Sequence, residues 1–258
     1  MLVAVTSGKA APGATTSTWV VALAWQSPLL VVDCDVAGGD MASGLVVGRV
    51  SGDHGLLSWA TATRRVPAIE AATMIGQHVV ALPEASHVWL MPGLQNSSQA
   101  AAMTSGGWDR LALALERAPA LIGRDVLVDT GRLGALSCWP VLRSADQILL
   151  TVRPTVRSVR AAMQAASALR EHLGDLQKVG ALVVGAGPYS TKQVAQQLGM
   201  PDCGELPDDR AAAAVLSDGS QVGVRGLSQT RLLRAGSALA ARMARLDMAT
   251  RYPAGSTM

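Results

Sequence analysis

The stretch that decides the fold is VAVTSGKAAPGATTST, residues 3–18, which joins a short apolar run to a helical pattern. Within it, two glycines, an alanine and two threonines have the spacing of a phosphate-binding loop: Gly8, Gly13, Ala14, Thr15 and Thr16. In such a loop the glycines let backbone N–H groups approach phosphates, a lysine neutralises them, and a hydroxyl binds Mg²⁺. Ala14 stands in the position of that lysine. The stretch therefore predicts either a phosphate-binding loop without its main charge or an ordinary strand-to-helix turn.

The composition is that of an ordinary globular protein: 258 residues, of which 49% are hydrophobic and 16% charged. No apolar run reaches the roughly 18 residues that span a membrane, and the start lacks the basic region of a signal peptide. The three cysteines, Cys34, Cys138 and Cys203, have no metal-ligand spacing and suit a reducing compartment. We therefore expect a soluble cytoplasmic protein. The net charge of +3 leaves nucleic acid open as a partner but does not support it.

Short apolar runs alternate with longer helical patterns along the chain. The runs predict strands at 2–5, 29–35, 88–91, 125–129, 147–152 and 181–185. The patterns predict helices at about 14–26, 106–118, 156–172, 190–198, 208–217 and 228–247. Because the runs are apolar on both faces, they predict an α/β fold with a mostly parallel β-sheet and helices on both faces. We expect one domain over 1–251, least regular at 49–120, and a flexible tail at 252–258.

Acidic residues follow two of the predicted strands. Asp33 and Asp35 close the run LLVVDCD, where open α/β sheets bind their ligands. Strand alternation predicts that both carboxylates point the same way, with Cys34 opposite. Asp129 ends the run DVLVD, in the manner of a carboxylate that holds Mg²⁺ through water. Each aspartate alone could equally be a cap or a turn residue.

With these segments in order, the chain resembles the MinD/ParA family of P-loop ATPases with a deviant Walker A motif. KAAPGATT is similar to the family's Lys-Gly-Gly-x-Gly-Lys-Thr-Thr, and VDTG, LLTVRPTVRSVRAA and GELPDDRAAAAVLSDG extend the likeness over most of the chain. The nearest branch resembles the CpaE or TadZ localisation proteins of high-GC bacteria. The resemblance implies ATP or ADP with Mg²⁺ as cofactor, a homodimer formed on nucleotide binding, and a further protein partner.

The resemblance also implies roles for individual residues. Lys9 would be the signature lysine that reaches the partner subunit's phosphates, and Asp35 would orient the attacking water. Mg²⁺ would be held by Thr15, Asp33 and Asp129. The nucleotide would be contacted by Gly8, Lys9, Pro12, Gly13, Ala14, Thr15, Thr16, Asp129, Arg132, Pro207 and Asp208.

Two positions depart from the family pattern. Ala14 lacks a charge-assisted hydrogen bond worth roughly 1.5–3 kcal/mol, so nucleotide should bind more weakly and be hydrolysed more weakly still. Lys9 or Arg132 could compensate, although Arg132 could also be a solvated surface residue. Gly185 stands where the family often carries an asparagine that contacts adenine, which leaves base selectivity undetermined.

The last predicted helix has an apolar face and scattered arginines. Leu232, Leu239, Met243 and Leu246 fall near one side of it. Such a helix could lie on an anionic membrane, giving a peripheral position at its inner face, or could be a core helix with a solvated basic side.

Three functions remain open from the sequence. The first is a spatial organiser or scaffold that binds nucleotide weakly or not at all, placing a pilus or secretion machine or a partitioning cargo. The second is an active Mg-ATPase of chromosome or plasmid partitioning, with Lys9 or an arginine replacing the missing lysine. The third is a small-molecule ligase or transferase on the same fold, which would need an intact loop lysine and substrate-binding groups.

Overall fold

The computed structural model describes residues 1–8, 13–219 and 226–251. Eight strands form one sheet in the order β3-β4-β2-β5-β1-β6-β7-β8. The strands are β1 Leu2–Ser7, β2 Leu29–Asp33, β3 Val80–Ala81, β4 Val88–Met91, β5 Asp125–Arg132, β6 Gln147–Val152, β7 Val179–Val184 and β8 Asp202–Leu206. Every neighbouring pair is parallel except β3 and β4, which are antiparallel. The predicted fold class, a mostly parallel sheet covered by helices, is confirmed.

Helices connect the strands and cover the sheet. In the described residues they are α1 Ala14–Ala24, α2 Leu56–Ala62, α3 Ala68–Thr73, α4 Ser97–Ala102, α5 Thr104–Ile122, α6 Trp139–Ser144, α7 Val156–Leu173, α8 Thr191–Leu198, α9 Arg210–Asp218 and α10 Arg231–Arg251. Three short 3-10 helices lie at Met41–Ser43, Met74–Gln77 and Pro83–Ala85. None of the helices in these ranges combines the length and apolar composition needed to cross a bilayer.

The core lies on both faces of the sheet, because successive strand residues alternate between two apolar clusters. Leu30 and Val32 of β2 belong to the cluster that includes the buried side of α5. Leu29 and Val31 belong to the other, with Trp19 of α1. Strands buried on both faces are the reason that the sequence reads as continuous apolar runs.

The C-terminal helix contributes to the second of these clusters. Leu232, Leu239 and Met243 of α10 are buried there with α1, while Arg231 and Arg242 are exposed. The structure therefore favours the core-helix interpretation, because these apolar side chains are not on the surface where a membrane could meet them. Leu246 lies in the part of α10 whose side chains are not described.

The predicted element bounds agree with the structure within a few residues, with one difference that affects the site. The sequence extends a strand to 35, whereas β2 ends at Asp33. The chain turns there because the Asp35 carboxylate accepts the N–H of Ala37 at 2.8 Å. The two aspartates consequently have different surroundings, and alternation along the strand does not extend to Asp35.

Candidate functional site

The site lies at the carboxyl ends of β1, β2 and β5, which are neighbours in the sheet. In parallel sheets this edge is where ligands bind. Asp33 and Asp129 are direct partners in the register of β2 and β5, and Ser7 of β1 pairs with Arg132. The sheet thus brings together predicted site residues that are almost a hundred positions apart in the chain.

The end of the loop has the geometry of a helix start. Gly13 is left-handed, with φ 85°, and its carbonyl accepts the N–H of Ser17 at 2.8 Å. Thr15 and Thr16, in the first turn of α1, are partly exposed. The first N–H groups of a helix have no partner within it, so this turn can receive an anion. Lys9 and Pro12 lie outside the described residues.

Ala14 is nearly buried, at 7% exposure, and packs in the apolar cluster beneath α1. Its carbonyl accepts the Thr18 hydroxyl at 3.0 Å, within the helix. The position therefore contributes packing and contributes no charge to the loop.

The start of the loop rests on α7. A Cβ placed on Gly8 would lie 2.5 Å from the carbonyl oxygen of Ala161 and 3.0 Å from the Cβ of Ala165. Only glycine permits this close approach of two backbones without displacement. The start of the loop is therefore packed directly against the backbone of α7.

The Asp129 carboxylate gives the clearest indication of a cation-binding position in the site. Its Oδ1 accepts the N–H of Gly131 at 2.9 Å, whereas its buried Oδ2 has no hydrogen-bond partner among the described residues. Burial raises the pKa of this carboxyl to about 6, although the nearby Thr15 hydroxyl and the Gly131 N–H lower it. Thr15 lies near the carboxylate but donates no hydrogen bond of standard geometry to Oδ2. A buried carboxylate oxygen left open beside a hydroxyl fits a cation such as Mg²⁺.

Asp33 is placed differently from Asp129. It is fully buried, and its two oxygens accept the N–H groups of Asp35 at 3.2 Å and Met41 at 3.3 Å. Gly39 and Gly93 pack so closely on the carboxylate that a Cβ on either would overlap it. Burial, and after it the charge of Asp129, raises the pKa of Asp33 well above its usual value. With both oxygens engaged by the backbone, Asp33 orders the turn after β2, and its role as a Mg²⁺ ligand remains a prediction.

Asp35 lies beside Gly131, next to the Asp129 strand end. A Cβ on Gly131 would overlap its carboxylate. Burial raises the pKa of Asp35, the charge of Asp40 raises it further, and the Arg132 guanidinium lowers it. The exposed Arg132 guanidinium is a cation close to the Asp35 carboxylate at the mouth of the site.

A second group of predicted residues meets at the ends of β7 and β8. The Cβ position of Gly13 is 3.4 Å from Val184, and Gly185 follows directly with φ 81°. The Gly185 N–H donates to Leu206 at 2.8 Å, which brings Pro207 and Asp208 alongside. The structure thus connects the loop to Pro207 and Asp208 through β7.

Arg153 is a neighbour of this group that the sequence interpretation missed. Its Nη1 lies 3.4 Å from the Cβ position of Gly185, and the Asp208 Cβ lies 3.7 Å from the same point. The Arg153 guanidinium therefore lies beside Gly185 at the end of β7. The arginine directly after the apolar run QILLTV was the signal available in the sequence.

The acidic residues do not form a metal cage by themselves. In residues 1–8, 13–219 and 226–251 no three histidine, cysteine or acidic side chains are arranged to hold a metal ion. Mg²⁺ does not need such a cage, because it keeps several waters and binds through one or two carboxylates together with phosphate oxygens. Here one open carboxylate oxygen and one nearby hydroxyl are available for such coordination.

Replacing Asp129 with asparagine should stabilise the protein without nucleotide at pH 7.5. The folded pKa of about 6 exceeds the unfolded value near 3.9, so the native state binds the proton more tightly. Stability from this group is present below pH 4 and is lost as the pH rises through 6. Asp129→Asn removes that loss, which is worth up to about 3 kcal/mol.

Thermal unfolding at pH 5 and pH 7.5 measures this effect. We expect a higher Tm for Asp129→Asn at pH 7.5 and a smaller gain at pH 5. Asp109→Asn, an exposed change on α5, is the control and should leave both values unchanged. A lower Tm for Asp129→Asn at pH 7.5 would show that the carboxylate is stabilising as it stands.

Comparisons with known proteins give a structural likeness. No protein-family model and no curated protein matches the sequence. The ParA family ATPase of Chlorobium tepidum superposes with a TM-score of 0.74 at 17% identity, covering 93% of this chain and 98% of that one. MinD of Pyrococcus horikoshii, complexed with Mg-ADP, gives 0.73 at 17% identity, covering 95% and 96%. MinD from the MinC:MinD complex of Aquifex aeolicus gives 0.72 at 18% identity, covering 95% and 96%. The chain therefore has the fold of the MinD and ParA ATPases.

Proposed function

We propose that this chain is a MinD/ParA-like spatial organiser that binds ATP or ADP with Mg²⁺ weakly and turns it over slowly or not at all. The observation that carries the proposal is the buried, unpartnered Oδ2 of Asp129, which lies beside Thr15 at the first turn of α1. A cation at this point would satisfy the carboxylate, and the helix start would receive the phosphates that accompany it.

Each residue of the site has a part in this arrangement. The N–H groups of the first turn of α1 would bind phosphate oxygens, and Thr15 and Asp129 would hold Mg²⁺, which would supply charge to neutralise the phosphates. Asp35, partly exposed at the mouth, accepts a hydrogen bond from a water and orients it. Asp33 fixes the backbone that carries Asp35, since it accepts the Asp35 N–H.

Ala14 sets the balance between binding and turnover. A missing charge-assisted hydrogen bond weakens affinity about ten- to a hundredfold. Transition states for phosphoryl transfer depend more strongly on fixed positive charge than ground states do. A site of this kind retains nucleotide binding after it has lost most of its hydrolysis, which suits a scaffold.

The known structures with this fold support the wider proposal. One is a MinD complexed with Mg-ADP, another a MinC:MinD cell division complex, and a third a ParA family ATPase. By analogy of fold, we infer a homodimer on nucleotide binding and a separate protein partner for this chain. Placement of a pilus or secretion machine, or of a partitioning cargo, is the finer form of the same proposal.

Isothermal titration with ATP and with ADP, each with and without Mg²⁺, tests the proposal. We expect dissociation constants between about 10 μM and 1 mM, with affinity that depends on Mg²⁺. Thr15→Val should remove the Mg²⁺ dependence, whereas Thr61→Val, which alters an exposed hydroxyl on α2, should not. No heat of binding at millimolar ATP or ADP would refute a nucleotide site. Titration with GTP reports base selectivity at Gly185.

A working Mg-ATPase is the second candidate, and one observation favours it. Arg132 is exposed, is paired with Ser7 in the sheet register, and lies close enough to Asp35 to lower the pKa of that carboxyl. From there its guanidinium can supply the charge that Ala14 lacks.

Arg132→Gln separates the two candidates. If Arg132 replaces the lysine, the change should reduce ATP affinity and phosphate release about tenfold or more. Arg117→Gln, an exposed arginine on α5, is the matched control. Equal affinity and equal release for Arg132→Gln and the unaltered protein would assign Arg132 to the solvated surface.

A further inference from the structure

Three residues at the ends of β6, β7 and β8 form a polar corner beside the proposed phosphate site. Arg153 follows β6, Gly185 follows β7, and Asp208 lies just after β8. The Arg153 Nη1 lies 3.4 Å from the Cβ position of Gly185, and the Asp208 Cβ and Cγ lie 3.7 Å and 4.0 Å from the same point. Arg153 is half-buried and Asp208 is exposed, so a ligand can reach both. We call this arrangement the β6–β8 corner.

The backbone of the corner is held in place by contacts between neighbouring strand ends. The Gly185 N–H donates to the carbonyl of Leu206 at 2.8 Å, which joins the end of β7 to the end of β8. A Cβ on Gly187 would overlap the carbonyl oxygen of Pro154, so the segments after β6 and β7 pack backbone against backbone. These contacts fix the relative positions of the chain segments that carry the guanidinium and the carboxylate.

The corner lies on the side of β1 toward which a nucleoside would extend. In the proposed arrangement Mg²⁺ is held at the end of β5, and the phosphates lie at the first turn of α1, which follows β1. The strands β6, β7 and β8 are on the opposite side of β1 from β5. The end of β7 is two strands from β1, roughly 10 Å away, a distance that a ribose with its phosphates can span. The base would therefore reach the corner.

The donors and acceptors of the corner match guanine and do not match adenine. One edge of guanine presents two acceptors, N7 and O6, followed by two donors, N1–H and the N2 amine. Arginine is the common bidentate partner of O6 and N7, and a carboxylate accepts from donors. Adenine has a donor, the N6 amine, in place of O6 and an acceptor in place of N1–H, so a guanidinium would face a donor and a carboxylate would face an acceptor.

We propose that the β6–β8 corner makes the nucleotide site selective for guanine, with Arg153 donating to O6 and N7 and Asp208 accepting from N1–H and the N2 amine. An arginine has five N–H donors, so one edge of Arg153 can bind a base while other donors contact the protein. Adenine nucleotides bind at the same site more weakly, because polar groups brought together without a match cost affinity. The inference rests on the proposed function, since it names the base of the nucleotide whose phosphates lie at α1.

Isothermal titration of the unaltered chain with a series of nucleoside diphosphates and Mg²⁺ tests the proposal without any substitution. We expect GDP to bind about tenfold or more tightly than ADP. Inosine diphosphate lacks the N2 amine, and 7-deazaguanosine diphosphate lacks the N7 acceptor, so each should bind more weakly than GDP. Equal affinity for GDP and ADP, or tighter binding of ADP, would overturn the proposal.

Two substitutions assign the contacts to their residues. Arg153→Gln replaces a fork of donors with one donor and one acceptor, the pattern that suits N6 and N7 of adenine, and should reduce the preference for GDP over ADP about tenfold or reverse it. Asp208→Asn should weaken GDP and strengthen xanthosine diphosphate, whose 2-carbonyl can accept from the new amide. Arg170→Gln on α7 and Asp109→Asn on α5, both at exposed positions, are the matched controls and should keep the preference for GDP.

The possible results separate base selectivity from nucleotide binding itself. Equal, measurable affinity for GDP and ADP would reject guanine selectivity and leave the nucleotide site in place. No heat with either at millimolar concentration would reject the nucleotide site, and guanine selectivity with it. An equal loss of GDP and ADP affinity in Arg153→Gln, with an unchanged Tm, would assign this arginine to phosphate or ribose and would also overturn the proposal.

Discussion

Replacing Ala14 with lysine should tighten ATP binding about ten- to a hundredfold and raise ATP turnover well above that of the unaltered protein. The new ammonium would form a charge-assisted hydrogen bond to the phosphates, worth roughly 1.5–3 kcal/mol. Ala14 opens α1 directly after the left-handed Gly13, so a longer side chain there starts at the loop. Turnover should gain more than affinity, because the charge acts on the transition state as well.

Two variants of Ala14 separate the effect of side-chain charge from the effect of side-chain size. Ala14 is nearly buried, so the added atoms of a larger side chain must be accommodated at a packed position. Ala14→Met has similar length without charge and is the matched control, with thermal unfolding of both variants to measure the cost of repacking. Titration calorimetry gives the affinity and phosphate release gives the rate. Hydrolysis by the unaltered protein as fast as by Ala14→Lys would disprove the damaged-loop argument.

The main sheet could be predicted because its strands are buried on both faces. A run such as LLVVD is apolar without interruption, and the structure pairs it with β4 and β5. The edge strand β8 was not predicted because its sequence, DCGEL, is not an uninterrupted apolar run. In the structure four of its five residues are partly or fully exposed. An edge strand with one neighbour needs little apolar sequence, and its pairing with β7 is decided by the rest of the fold.

The helices α2 and α3, within the region 49–120, were not predicted for a different reason. The short helices α2 and α3 are held by tertiary contacts, such as the hydrogen bond from the Trp59 indole to the carbonyl of Ala71 at 3.0 Å. Arg110 of α5 donates to the carbonyl of Val66 between them. Helices of six or seven residues are not stable alone, so their sequence carries little periodic signal.

The candidate site, like the sheet, could be predicted from the sequence only in part. Asp35 and Asp129 could be singled out because each follows an apolar run, and parallel strands bring such ends together. The different surroundings of Asp33 could not be foreseen. They arise from Gly39 and Gly93, and no local pattern joins these glycines to the aspartate. The position of the Arg153 guanidinium beside Gly185 could not be foreseen either, because it depends on the direction in which this side chain extends after β6.

Lys9 is the residue whose removal should have the most complete effect. Lys9→Ala should abolish nucleotide-dependent dimerisation, if Lys9 has the role that the family resemblance implies. It is the only lysine before Lys178 in a chain whose other cations up to that point are arginines. The compact ammonium of lysine can bind a phosphate as a point charge, whereas the planar guanidinium of arginine binds it with a fork of two donors.

Lys9 lies outside the described residues, so its role is inferred from the sequence alone. Gly8 packs against α7, and Gly13 lies immediately before α1. A change confined to the short segment between these two glycines should leave the core intact, so the monomer should remain folded with an unchanged Tm. The alternative is a surface lysine that contacts no phosphate.

Sedimentation velocity with and without Mg-ATP distinguishes these roles. We expect the unaltered protein to form dimers with Mg-ATP and Lys9→Ala to remain monomeric. Lys192→Ala removes an exposed lysine on α8 and is the control that should dimerise normally. Lys9→Arg keeps the charge but changes its shape, so a partial loss of dimer would point to the ammonium itself. Equal dimer fractions in the unaltered protein and Lys9→Ala would remove Lys9 from the site. An unaltered protein that stays monomeric with Mg-ATP would instead favour a scaffold that does not use nucleotide to pair, because a lysine cannot reach across an interface that never forms.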